Sequence, residues 1–195
     1  MPSSGWRALG SGSILGHLRK DLKGARRQVR ILGPWIDDFF ADVVVNCLPA
    51  TPALQVVSRP PGRVGGGFAA RGREACALFL DRANTEIRLH DCLHAKVILI
   101  DETIAYCGSA NWYRYSLEDG CEIVLRGATT LAPDLPDQAQ TIWDAARPLG
   151  ERPQRTTRPG QKVEGQRVEL DPIAAEVVRT IPGVVVLGAK NKLRR

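Results

Sequence analysis

The run Val97-Ile98-Leu99-Ile100 constrains this chain more than any other four residues. It is apolar without the alternation of a half-exposed strand. It therefore predicts a strand covered on both faces, with helices packed above and below its sheet. The rest of the chain supplies those layers. Ile14, Leu15, Leu18, Leu22 and Ala25 recur at helical spacing and predict a helix over roughly 13–27. Phe39, Phe40, Val43, Val44 and Leu48 predict another over about 36–48, stopped by Pro49. Strands are expected at 29–32, 54–58, 85–90, 95–100, 103–107 and 121–126, and further helices near 73–83 and 134–146. This alternation predicts an α/β fold: a mixed β-sheet flanked by helices on both faces, a sandwich of one sheet between two helical layers.

The texture changes after Ala146. Residues 1–146 form the expected domain, residues 147–168 read as a basic Pro/Gly-rich linker, and residues 169–195 read as a short helix-strand extension. Asp171 and Pro172 supply an N-cap and a first-turn proline for that helix, and Val184–Leu187 a strand. Such a piece is too small to bury a core alone and is expected to dock, a protein partner being one candidate. The charge divides at the same place. The chain carries +6 overall, yet residues 1–146 hold 16 basic and 16 acidic side chains, against 11 and 5 in residues 147–195. The polyanion-seeking charge thus belongs to the tail. No apolar run reaches membrane-spanning length, and the first residues lack the layout of a secretory signal. Five cysteines, odd in number and never spaced CxxC, suggest neither a disulfide framework nor a zinc knuckle, so a reducing, cytoplasmic setting is expected.

The chemistry concentrates in His94-Ala95-Lys96, Asp101, Gly108-Ser109-Ala110-Asn111 and Glu122. On a strand, residues two apart face the same side, so His94 and Lys96 are expected to project together. Imidazole can attack phosphorus and leave again, while an ammonium beside it neutralises the non-bridging oxygens. A turn at Gly108-Ser109 would bring a hydroxyl and the Asn111 amide to the same anion, and Glu122 would hold the imidazole in the required tautomer.

HxKxxxxD followed by GSxN resembles the signature of the phospholipase D superfamily. The resemblance spans residues 13–146 in element order and residues 94–122 at the level of motifs. It implies a phosphodiesterase in which His94 forms a phosphohistidine, Lys96 and Asn111 hold the phosphate, Ser109 assists and Glu122 supports His94. Asp101 and Gly108 would serve structure. Many members place Asn two residues before the acidic position; here it is Gly120. The family's site needs two such motifs, one histidine attacking and the other protonating the leaving oxygen. This chain has one, which implies a homodimer sharing one active site. No metal or other cofactor is implied, because His and Lys take over the metal's work.

Other features carry weaker signals. Arg59, Arg63, Arg71 and Arg73 lie in a stretch that reads as a loop and are candidates to grip a nucleic-acid backbone, a solvated loop being the competing reading. Trp112 and Tyr113 could stack on a substrate or pack in the core. The basic residues from Arg19 to Arg30 read as a solvated helix face. His90, Asp91, Cys92 and His94 do not make a metal cluster, since neighbours on a strand point to opposite sides. Cys107 reads as a small buried hydrophobe.

Short single-motif members of the superfamily are mostly bacterial nucleases, some within defence systems, so the resemblance implies an endonuclease acting on DNA or RNA. Two alternatives stand beside it: a phospholipid phosphodiesterase or phosphatidyltransferase, and a non-catalytic nucleic-acid-binding subunit of a larger complex.

Overall fold

The computed structural model describes residues 5–60 and 68–149. Arg63, residues 150–168 of the expected linker and the 169–195 extension lie outside them. Eight strands make one sheet: β1 (Arg7–Gly10), β2 (Gln28–Leu32), β3 (Ala53–Ser58), β4 (Thr85–Leu89), β5 (Val97–Ile100), β6 (Ile104–Gly108), β7 (Ile123–Ala128) and β8 (Arg147–Pro148). Their spatial order is β1-β7-β6-β5-β2-β3-β4-β8. β2, β3 and β4 run parallel and every other pairing is antiparallel, so the sheet is mixed, as expected. The helices are α1 (Ile14–Gly24), α2 (Asp38–Cys47), α3 (Phe68–Leu80), α4 (Arg114–Glu118) and α5 (Leu135–Ala145).

The central strands explain the two layers. All four residues of β5 are buried. Ile98 and Ile100 join Val29 and Ile31 of β2 beneath the side chains of α1, α2 and α3. Val97 and Leu99 point the other way, toward Ala139 and Trp143 of α5. Alternate residues therefore feed separate cores, which is why this run shows no polar period. Arg30 also faces α5. It is buried, donates to Gln55 and Gln140 and lies 5.9 Å from the Trp143 ring centroid, so it does not continue the solvated basic face.

Four local features depart from the sequence expectation. β1 has one buried residue in four, too little pattern to read, and exists through its pairing with β7. α4 has only five residues. α3 begins at Phe68, so Arg71 and Arg73 stand on a helix and not in a loop. Arg147–Pro148, expected to open the linker, pair with β4. Gly33 marks a close approach: a Cβ there would lie 2.2 Å from the Trp112 ring, whose Nε1 donates to the Leu32 carbonyl at 2.8 Å.

Candidate active site

The topology gathers the chemical residues before any side-chain detail is needed. Parallel β2, β3 and β4 end at one edge of the sheet. The antiparallel strands β5 and β7 begin there, and β6 and β1 end there. That edge therefore receives Trp35 after β2, Arg59 after β3, His90 after β4, His94 and Lys96 ahead of β5, Ser109 and Asn111 after β6, and Glu122 ahead of β7. Ligands of open α/β sheets bind at such ends, where side chains leave the ladder and lack neighbours on one side.

His94 and Lys96 lie in the irregular segment before β5 and not in the strand itself, a correction to the expected strand at 95–100. Strand β7 likewise starts at Ile123, so Glu122 sits just outside it. The His94 ring is exposed and meets Trp35 edge-on, with centroids 6.4 Å apart. The Lys96 ammonium donates to the His94 carbonyl at 3.0 Å. Burial lowers the pKa of Lys96 below that of an ordinary lysine; the Glu122 carboxylate opposes this, and the Arg59 charge adds to it.

Glu122 is held by two hydroxyls. Ser109 Oγ and Ser116 Oγ each donate to one of its oxygens at 2.5 Å. Ser116 also accepts from the Asn111 backbone N–H at 3.0 Å, and Ser109 accepts from that of Ile123 at 3.1 Å. Within the chain the hydrogen-bond partners of the carboxylate are thus serines, and the expected contact with His94 is not among them. Asn111 is 8% exposed, and its side-chain oxygen is buried without a hydrogen-bond partner. Such an unmade bond is costly, and it stands at a place where a ligand could complete it. Ser116 carried no sequence signal: it lies five residues past Asn111 in a helix of five residues.

Other candidates lie elsewhere or are engaged. Asp101 is at the far end of β5, roughly 13 Å from the motif histidine's end at the usual rise per strand residue. Its carboxylate accepts from the backbone N–H groups of Arg26, Arg27 and Gln28 at 2.8, 2.8 and 3.0 Å. Gly108 is required sterically, since a Cβ there would lie 2.2 Å from the Ile123 carbonyl oxygen. Arg71 is bound to Asp37 and Asp38 at 2.8 and 2.7 Å, so its charge is neutralised inside the chain, contrary to a phosphate-gripping role. Arg73 is exposed on α3. Trp112 has no exposed surface and stacks on Phe40 at 5.6 Å, which corrects its candidacy as a stacking platform. Tyr113 is half-buried at the start of α4. Cys107 is partly buried against the α5-side core, and burial raises its thiol pKa. Among the described residues no three His, Cys, Asp or Glu side chains converge as a metal site would require.

A family model described as "Cardiolipin synthase, PLD-like domain" matches residues 18–143, nearly two thirds of the chain. The chain belongs to the phospholipase D-like family. No curated protein matches the sequence. Among solved structures, NucT from Helicobacter pylori is 16% identical with a TM-score of 0.58, covering 74% of this chain and 98% of its own. The phospholipase D family member Nuc from Salmonella typhimurium is 16% identical, with a TM-score of 0.56 and the same coverages. Phosphatidylserine synthase from Haemophilus influenzae is 13% identical, with a TM-score of 0.56, covering 74% of this chain and 40% of its own. These structures share the mixed sheet and its helical layers with this phospholipase D-like chain. Among the described residues no helix is long and apolar enough to cross a membrane.

Proposed function

We propose that this protein is a phosphodiesterase that cleaves nucleic-acid backbones through a phosphohistidine, with two chains completing one site. The observation that carries the reading is the delivery of His94, Lys96, Asn111 and the serine-clamped Glu122 to one sheet edge, in a single copy. An imidazole nitrogen of His94 attacks phosphorus, forming an N–P bond as the P–O bond to the leaving group breaks. Lys96 and the Asn111 amide stabilise the charge on the non-bridging oxygens. The leaving oxygen takes a proton from the imidazolium of a second His94, supplied by the other chain. Water then attacks phosphorus, that second histidine accepts its proton, and the N–P bond breaks to release a phosphomonoester.

Length supports nucleic acid over lipid. The shared fold covers 98% of NucT and of the phospholipase D family member Nuc, but only 40% of the phosphatidylserine synthase, whose lipid chemistry is carried by a longer chain. Phosphatidyl transfer remains the second reading, because the matching family model is described by cardiolipin synthase. Incubation with labelled oligonucleotides and with phospholipid vesicles, each in excess EDTA, separates the two. Oligonucleotide cleavage that His94→Ala abolishes is the expected result. Turnover of vesicles alone transfers the chemistry to lipid, and salt-sensitive DNA binding without either turnover leaves a non-catalytic subunit. The sharing of a site predicts a dimeric solution mass at assay concentration; an active monomer overturns that part.

A further inference from the structure

The motif edge continues beyond His94 to the ends of β2 and β3, where Trp35, which carries no role so far, stands beside Arg59, a candidate backbone-gripping residue whose place in the site is not yet defined. Trp35 follows β2 and presents its half-buried ring to His94. Arg59 follows β3, with its guanidinium carbon 5.9 Å from the Trp35 ring centroid. The Arg59 Nε is buried and makes no hydrogen bond. Both residues line one depression together with Pro34, Ser58 and Cys76. Arg71 shows the alternative fate of a basic residue in this region, closed off by two carboxylates. Arg59 instead adds its charge to that felt by Lys96, so two cations are held near each other. Placing like charges together costs free energy that an anion between or beside them recovers.

We propose that Trp35 and Arg59 form a second subsite beside His94, which binds the phosphate and base of the nucleotide adjoining the scissile bond. This rests on the nucleic-acid reading of the site. β3 lies two strands from β5, about 10 Å at the usual interstrand spacing, and the arginine side chain spans part of that gap. The guanidinium is thereby offset from the scissile phosphate by a distance that a neighbouring nucleotide can bridge. Guanidinium donors suit phosphate oxygens in a fork, and the indole and guanidinium planes offer a flat surface to a base of any identity. A polymer of nucleotides presents a phosphate and a base next to each scissile bond. A small aryl phosphodiester presents neither.

The test compares two substrates on the full chain: a single-stranded DNA oligonucleotide and bis-para-nitrophenyl phosphate. Arg59→Gln is expected to raise the oligonucleotide KM at least fivefold more than that of the aryl ester, and to lower the salt slope of oligonucleotide binding by about one. Trp35→Leu is expected to weaken the oligonucleotide selectively with little change in that slope. Arg59→Lys, which keeps the charge, is expected to restore the slope. Circular dichroism and melting establish that the variants are folded. Parallel losses on both substrates overturn the subsite, because Arg59 would then act at the scissile phosphate; so does an oligonucleotide KM unchanged in both Arg59→Gln and Trp35→Leu. A wild-type protein that hydrolyses the aryl ester but neither binds nor cuts nucleic acid overturns the nuclease reading itself, a result distinct from failure of the subsite alone.

Discussion

The two ends of β5 carry the two halves of one sequence motif and treat their polar groups in opposite ways. At the Asp101 end the carboxylate is answered by the chain: three backbone N–H groups point at it, and Arg27 donates to the Asp101 carbonyl at 2.7 Å. The residue and its neighbour Glu102 hold φ of +52° and +55°, a turn conformation that the short polar Asp tolerates. At the His94 end, the Asn111 oxygen and the Arg59 Nε lie buried without partners, and the Lys96 ammonium rests on a carbonyl. The motif carboxylate is completed by the chain itself; the motif amide is not. Around the motif itself, buried polar atoms left without partners, Asn111 Oδ1 and Arg59 Nε, mark the His94 end, whereas the Asp101 carboxylate is saturated by backbone donors.

That contrast makes predictions of decreasing size. His94→Ala is expected to lower kcat/KM by about a thousandfold or more while leaving the melting temperature within a degree or two of wild type. A variant that melts early and retains activity would invert the comparison. Asp101→Asn is expected to do the reverse, since an amide nitrogen now competes for space with backbone donors. It should cost about 1–3 kcal/mol in denaturant unfolding and change kcat/KM less than twofold at temperatures where it is folded.

The same carboxylate sets an acid dependence. Burial works against its ionisation, but the backbone donors and Arg27 outweigh it and leave its pKa below that of ordinary aspartate. A depressed carboxylate stabilises the fold above its unfolded value of about 3.9, and the contribution disappears as pH falls through the lower folded value. The wild-type advantage over Asp101→Asn in melting temperature should therefore be full near neutrality and shrink below about pH 4. A constant gap down to pH 2 would remove the carboxylate from the account.

Ser116→Ala sharpens the other end. It deletes the hydroxyl that ties Glu122 to the Asn111 backbone. The expected losses are about tenfold in kcat/KM and about 2 kcal/mol in stability, the latter from a charge-assisted bond to Glu122 and a buried Asn111 N–H left without its acceptor. An equal drop in stability and no drop in rate would make the clamp purely structural. The smallest effect concerns the alkaline limb of the rate profile. Burial and Arg59 bring the Lys96 charge loss to lower pH than in an ordinary lysine, with Glu122 opposing. Removing Arg59 should move that limb upward and removing the Glu122 charge should move it downward, as read from kcat/KM against pH.

The apolar run of β5, the amphipathic spacing of α1 and the Pro49 stop are local signals, and they predicted the mixed sheet and its two helical layers because each depends on neighbours in the chain. β1 escaped notice because four residues with one buried leucine carry no period. The candidate site divides along the same line. The spacing of His94, Lys96, Ser109, Asn111 and Glu122 is legible in the chain, since strand ends convert fixed intervals into a shared edge. The direction of each side chain is not. Trp112 turns inward because Gly33, 79 residues earlier, leaves room for its ring. Arg71 closes on carboxylates more than thirty residues away.

The sequence by itself determined the candidate reactive groups, their order and the sheet that presents them. Only the tertiary structure decided which basic and aromatic residues remain open at that sheet's edge. Pairings across long stretches of chain depend on which elements pack together, and no local spacing encodes them.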